Sequence, residues 1–520
     1  MGVALTSFTV DMEFSGVGGG WTNVLGDVRA GSFDLAWDSG ISGNGPTDRV
    51  ASPQTCVFNL DNTAGNSGSV AGYYSPNHGS KRSGFALGIR MRVTLTYSAV
   101  TYYDWIGTID RIQPSPGKTP RISTITAVDW MDEASRYEVQ GVPVALSTAA
   151  DAVLTALLAA MPKQPNATSF GAGSDAYLYA PAAGPNEKYS ALSEFQRIAM
   201  SELGFIVLRG GTAAGNAGTL TFIPRSALVQ TPYNTSQGTF NDSMLDMGAE
   251  QSRESALNVF RCNVPGRRVD PPGTPVVLFS MSQSVSIEGG AAAATYFGPY
   301  SDPAQQAARV SGFNMYGSAG QPAMVLGTDY YFTSNPDGTG TDLSANLTFT
   351  ASPGSDSVRY VVSATVTGFF WAQARGFGMY DYDPVSVEIR DNTSVTAYGE
   401  NPVDMDLTYQ SDPSFGRLAG TYLIAYWKDP TTQVPNVTFL ANEDNTSMLA
   451  ALQRYPGDAI TIQETQTGVN KLFRIQSTKK RMVEKFLYCT WSLSPMVDVT
   501  DYWILEEGGS SLGTNTTIAL

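Results

Sequence analysis

The sequence predicts a mainly β, multi-domain chain: all-β at both ends, with a small α+β unit after the first domain and a β-sandwich inserted into the third. Three observations carry this. At 520 residues the chain exceeds what one hydrophobic core organises, and roughly 150 residues per domain gives about three or four domains. Many segments alternate apolar and polar residues with the period of two that a half-buried strand requires. Helical spacing, in contrast, is confined to a few short windows.

Residues 1–145 form the first unit. Alternation is clearest over 90–97, 103–112 and 121–128, and the turn composition of Gln113–Lys118 joins the last two as a hairpin. Residues 62–81, rich in Gly, Ser, Asn and Pro, are a long loop. Residues 146–250 form the α+β unit. Val153, Leu154, Leu157, Leu158 and Met161 repeat at helical spacing after an expected N-cap at Ser147, and Pro162 stops them. Leu192, Phe195, Ile198, Ala199 and Leu203 mark a second helix, capped near Ser190 and closed by Gly204. Strands 205–208 and 219–224 follow as a hairpin.

The third unit is split, comprising residues 251–289 and 394–500, with the β-sandwich inserted over 290–393. Within the insert only 302–310 hints at a helix. After it, Asp412 can cap a helix over 412–427 with Pro413 at its first position, and Phe415, Leu418, Tyr422 and Leu423 are expected to be buried. Strands 459–462, 471–476 and 486–492 complete a second barrel-like unit. Residues 501–520 are a C-terminal extension.

Composition narrows the chemistry. Charged residues make up 15% against roughly 25% in an average soluble protein, and 32 Lys+Arg against 47 Asp+Glu gives a net charge of −15. That balance opposes a sequence-independent grip on nucleic acid or an anionic membrane. A single histidine, His78, leaves a Ser-His-Asp triad or multi-histidine metal site nowhere else to form. Cys56, Cys262 and Cys489 stand hundreds of residues apart and read as buried or partly buried free thiols in a reducing compartment. No apolar run reaches the 18 or so residues of a membrane span, and Met1–Val10 lacks the charged and apolar regions of an export signal, so cytosolic synthesis is expected. Met1–Thr6 fits the short N-myristoylation pattern, which chance alone supplies in a Thr/Ser-rich chain.

The candidate chemical groups read as structure. His78 sits in a loop composition without an orienting partner. Asp129 with Asp132 and Glu133, Asp381 with Asp383, and Glu506 with Glu507 offer carboxylate pairs, but no sequence spacing marks an acid/base pair, and they read as solvated loop charge. Asn335–Asp342 lacks the DxDxDG order and the distal Glu of a calcium loop, so a turn is expected. Gly16–Gly20 precedes a strand, not the helix that a dinucleotide cradle needs. Lys479–Arg481, the only basic triplet, reads as a strand-end turn or a subunit contact. No catalytic residue, metal ligand or cofactor site is predicted.

Segments Gly20–Val24, Gly26–Arg29, Cys56–Asn62, Tyr74–Asn77, Trp105–Asp110, Pro114–Gly117 and Ala127–Asp129 resemble the opening barrel of tailed-phage minor tail proteins, the tail-tip or baseplate hubs. Gly457–Ile462, Phe473–Gln476 and Leu493–Pro495 resemble the end of the same family more loosely. The resemblance implies a structural virion protein, made in the host cytoplasm and located at the tail tip. It implies two tube-like barrels per subunit, and a homotrimer whose pseudo-sixfold ring caps the tail tube and adapts it to threefold symmetry. Expected partners are the tail tube or distal tail protein, tail fibre or central tip proteins, and the tape measure protein. DNA would pass through the channel without specific binding, and no enzymatic role is implied.

Two other readings stay open. A carbohydrate- or host-receptor-binding tail protein would use Phe369, Phe370, Trp371 and Tyr380 as an aromatic platform, although a sandwich core also needs such residues. A peptidoglycan-degrading enzyme would use the carboxylates above.

Overall fold

The computed structural model describes the chain apart from residues 1, 30–34, 119–120, 140–141, 143, 181–188, 242–243, 272, 274, 302–308, 319, 355–356, 431, 497–501, 504–516 and 519–520. The expected helix at 302–310 and the pair Glu506 and Glu507 therefore lie wholly or mostly outside the described residues. The chain is mainly β and multi-domain.

The N-terminal unit is antiparallel. Its strands are β1 (Ser7–Met12), β2 (Thr22–Asn23), β3 (Leu35–Gly40), β4 (Thr55–Asp61), β5 (Arg90–Tyr97), β6 (Val100–Pro114) and β7 (Ile122–Val128). The alternation read from sequence becomes one buried row per strand: Cys56, Phe58 and Leu60 on β4, and Ile125 and Ala127 on β7. β5 and β6 turn through Ser98 and Ala99, both at positive φ, as a two-residue hairpin requires. α1 (Trp130–Arg136) follows, capped by Asp129, whose side chain accepts from the Met131 amide.

The α+β unit holds β8 (Ala145–Ala149), α2 (Ala150–Ala160), β9 (Ala167–Phe170), β10 (Ala176–Ala180), α3 (Ala191–Glu202), β11 (Phe205–Arg209), β12 (Thr219–Ile223) and α4 (Arg225–Leu228). Two expected caps differ. Ser147 lies within β8, because Leu146 and Thr148 pair with Tyr179 and Tyr177, and α2 starts later without a side-chain cap. Ser190 does cap α3, but Leu203 at φ 56° takes the left-handed turn expected of Gly204. Gly204 is small for another reason: a Cβ there would meet the Ile223 carbonyl oxygen at 2.7 Å. β11 and β12 form the expected hairpin, and β9 joins β12 in parallel.

Two short strands, β13 (Thr239–Phe240) and β14 (Asp246–Met247), lead to a second strand system. It contains β15 (Val259–Val269), β16 (Val276–Ser280), β17 (Val285–Ile287), β18 (Ala294–Pro299), β19 (Arg309–Phe313), β20 (Tyr330–Thr333), β21 (Leu347–Pro353), β22 (Ser357–Ala364) and β23 (Gly368–Arg390). β18, β22 and β21 form a three-stranded sheet, whereas β23 pairs in turn with β17 and β20, then β16, β19 and β15. After α5 (Asn392–Tyr398), β24 (Pro402–Asp406) adds in parallel to β15.

α6 (Pro413–Trp427) begins as the sequence predicts, with the Asp412 side chain accepting from the Ser414 amide. It packs on β15 and β23, burying Phe415, Gly416, Ala419, Gly420 and Leu423. Leu418 is not buried as expected: it is 47% exposed, because the buried pairs recur at 415–416, 419–420 and 423–424 and leave 417–418 on the opposite side.

The last segment is β25 (Asn436–Leu440), α7 (Asn445–Gln453), β26 (Ala459–Glu464), β27 (Val469–Val483) and β28 (Phe486–Pro495). β27 pairs with β26 through Val469–Arg474, then passes a register shift and pairs with β3 through Ser477–Met482. The strand arrays from the two ends of the chain thus form one thirteen-stranded sheet, running from β14 at one edge to β2 at the other. They share one core, where Trp37, Phe58 and Trp105 join Ile460, Phe473 and Trp491. Gly40, at φ 121°, permits the close approach, since a Cβ there would lie 2.3 Å from the Gln476 carbonyl oxygen.

Candidate functional site

The seam between β3 and β27 is where the two ends of the chain meet. Lys480 points into the shared core, its ammonium 2.6 Å from Asp104 Oδ1 on β6, while Trp37 Nε1 on β3 donates to Asp104 Oδ2 at 2.5 Å. Three strands are thereby tied at one carboxylate. Beside it Arg209 of β11 pairs with Asp458, bringing the α+β unit onto the same seam. The basic triplet is thus neither a strand-end turn nor one surface: it runs mid-strand, and alternation sends Lys480 inward while Lys479 and Arg481 lie on the other face.

The four residues of the expected aromatic platform do not share a surface. Phe370 and Tyr380 are buried in the core of the insert, and the Tyr380 hydroxyl donates to Asp270 at 2.8 Å. Phe369 and Trp371 alternate to the other side of β23. There Trp371 stacks on Tyr331, with centroids 5.3 Å apart and planes 9° apart, and its Nε1 donates to the Met281 carbonyl at 2.6 Å. A shallow hollow borders the pair, lined by Ser282, Gln283, Ser284, Pro336 and Asp337. Tyr331 escapes a reading of sequence alone, since only the pairing of β20 with β23 sets it opposite Trp371.

The carboxylates separate into different roles. Asp129 caps α1 and is buried, and burial pushes its carboxyl up to about 8 against the lowering effect of hydrogen bonds from the backbone. Asp132 pairs with Arg136 at 2.9 Å, and Glu133 pairs with Lys163. Asp381 lies 3.1 Å from Arg267 and accepts from Tyr179, while Asp383 is exposed. His78 is exposed, and its Nδ1 accepts from the Ser80 amide at 3.2 Å. Asn335–Asp342 is a turn, with Asp337 accepting from Thr339 and Asp342 from the Ser344 amide. Gly16, Gly18 and Gly20 all take positive φ in the loop between β1 and β2. Among the described residues no group of three or more His, Cys, Asp or Glu side chains is placed to hold a metal ion, and no helix is long and apolar enough to cross a membrane.

The fold and its seam define a mainly β protein in which strand arrays from the two chain ends are built into one wall. Solved structures similar to it include prophage and other tail proteins and a component of a type VI secretion system. The 43 kDa tail protein of prophage MuSo2 from Shewanella oneidensis is 8% identical, with a TM-score of 0.48, over 94% of this chain and 98% of that one. A tail protein from Neisseria meningitidis MC58 is 10% identical at a TM-score of 0.45, over 94% and 96%. Prophage tail protein gp18 from Listeria monocytogenes EGD-e is 8% identical at 0.40, over 95% and 97%. No family model and no curated protein matches the sequence.

Proposed function

We propose that this chain is a structural protein of a phage tail, a tail-tip or baseplate hub that closes as a homotrimeric ring. The observation that carries the reading is the pairing of β3 with β27. It sets two strand arrays side by side in one subunit, so three subunits offer six arrays, the count that joins a sixfold tube to a threefold body. The sheet ends in the short strands β2 and β14, and an edge strand offers unpaired backbone groups that a neighbouring subunit can satisfy. The family resemblance of the N-terminal and C-terminal segments supports the same assembly. In this reading the chain is a scaffold rather than a catalyst, contacting the tube, the tape measure protein and the tip or fibre proteins.

The family resemblance makes the ring a conduit, and with three chains at −15 each, a channel poor in Lys and Arg contacts would let DNA pass without holding it. Light scattering of the purified protein, alone and with tail partners, tests the assembly: the expected mass is three times 55.5 kDa. A stable monomer under both conditions would overturn the hub. Micromolar, salt-sensitive binding of double-stranded DNA at low salt would overturn the passive conduit.

One observation favours a second reading, recognition of a host glycan: the stacked Tyr331–Trp371 pair beside the hollow at Ser282–Ser284. Loss of host-cell binding in Trp371→Ala, with the ring intact, would support it.

A further inference from the structure

A cavity of about 110 Å³ opens where the loop before β4, β11, α4, α6 and β27 meet. Its wall includes three guanidinium groups, from Arg49, Arg225 and Arg474, together with Phe205, Tyr422 and Gln476. Arg49 and Arg474 are 9% and 8% exposed, and both guanidiniums sit by the same Phe205 ring, 5.3 and 5.4 Å from its centroid. Their hydrogen bonds go to neutral carbonyls. Arg49 donates to Pro46 and Leu203 at 2.9 and 2.6 Å, and Arg474 donates to Gly457 at 2.9 Å and Tyr233 at 3.5 Å.

Among the described residues no carboxylate stands within ion-pair distance of either group; Asp458 pairs with Arg209 and reaches Arg474 only at longer range, Asp175 pairs with Arg225, and no carboxylate is among the charges acting on Arg49. Buried cations without an ion-pair partner are costly, and two sharing one ring also repel each other. Two further atoms on this wall are buried without a partner, Arg225 Nη1 and Gln476 Oε1, the latter on a side chain only 2% exposed. The wall therefore offers donors that need an anion and one acceptor that needs a proton.

We propose that this cavity binds a small oxyanion carrying a hydroxyl, of the hydrogenphosphate class. Guanidinium N–H groups of Arg49, Arg225 and Arg474 hold its oxygens, and its P–OH donates to Gln476 Oε1. The volume suits it, since by this measure one water takes roughly 10–15 Å³ and the cavity holds several. Burial, with the like charge of Arg474 adding to it and Tyr422 opposing, lowers Arg49 to about 10, the direction expected of a cation lacking its anion. The ligand would link every unit that lines the cavity, and the assignment is independent of the hub reading.

The test is thermal unfolding of the full-length protein in one chloride buffer at neutral pH, with phosphate or sulfate added at low concentration, below the range in which these salts stabilise any fold by exclusion. Phosphate is expected to raise the midpoint, whereas sulfate, which has no proton to give Gln476, is expected to match chloride more closely. Arg225→Gln, which removes the most exposed of the three guanidiniums, should weaken phosphate binding roughly tenfold or more, read by phosphorus NMR line broadening if melting is complex. Gln476→Leu should erase the preference for phosphate over sulfate. Equal midpoints in phosphate and chloride, equal effects of sulfate and phosphate, or unchanged affinity in Arg225→Gln would each overturn the assignment.

Discussion

Lys480 and Asp104, 376 residues apart in the chain, form an ion pair at 2.6 Å in which each side chain is 2% exposed. A buried pair is weak evidence of net stabilisation, because desolvation offsets much of the attraction, but breaking one partner leaves a buried charge alone. Here the carboxylate also accepts from Trp37, so it is held on two sides.

Lys480→Met should therefore destabilise the protein by about 3–5 kcal/mol, measured by denaturant unfolding. Adding Asp104→Asn, which removes the orphaned charge and keeps an acceptor for Trp37, should recover much of that loss. Equal stability of the single and double variants would mean that Asp104 is not held as a charge in the Lys480 variant.

On α6 the small residues matter more than the large exposed one. A Cβ on Gly416 would lie 2.6 Å from Cys262 Sγ, and one on Gly420 would lie 2.5 Å from Phe260 Cδ1. Gly416→Val should cost about 1–3 kcal/mol through overpacking, while Leu418→Asp, on the exposed side, should fall within about 0.5 kcal/mol of the parent. Thermal melting of the two variants decides between these faces.

Asp129 sets a pH dependence. Its folded carboxyl, at about 8, lies above the ordinary 3.8, so the folded state binds the extra proton between those values. Its contribution is complete below the unfolded pKa and is lost as pH rises towards 8. Asp129→Asn keeps a capping oxygen and has no proton to lose, so it should stabilise the protein at pH 9 by about 1 kcal/mol or more relative to its effect at pH 4. Parallel stability curves for the two proteins would contradict this.

The three cysteines are free and buried, and burial pushes Cys262 up to about 11 and Cys489 to about 12. Thiolate is the reactive form. Labelling by a disulfide reagent at pH 8 should be slow in the native protein and reach three thiols in denaturant. Rapid labelling of any one at native stability would place it outside the core.

Local patterns in the sequence locate the elements well. The Asp412–Pro413 start of α6, the Ser190 cap and the strand alternation of β5, β6 and β7 each depend on residues within one or two turns, so they are readable without the fold. The same locality explains the misses. Asp129 reads as loop charge until α1 is recognised, and α1 is only seven residues long. Leu418 has the right spacing for burial, yet which side of α6 faces β15 is set by Gly416 and Gly420, whose missing side chains give no apolar signal. The platform reading groups Phe370 with Trp371, although β23 turns them to opposite sides, and nothing local sets Tyr331 against Trp371. Nothing near Lys480 announces Asp104, Trp37 or a strand from the far end of the chain.

β23 runs through 23 residues, a contour of roughly 75 Å at the usual rise per residue, with one register shift against β15 at Asp383–Pro384. One end is braced by β17 and β20, the other by β15 beneath α6. Insert and helix-covered base are joined by continuous backbone paired with successive neighbours, apart from the register shift at Asp383–Pro384. The insert is thus continuous with the body along one strand instead of hanging from a separate linker.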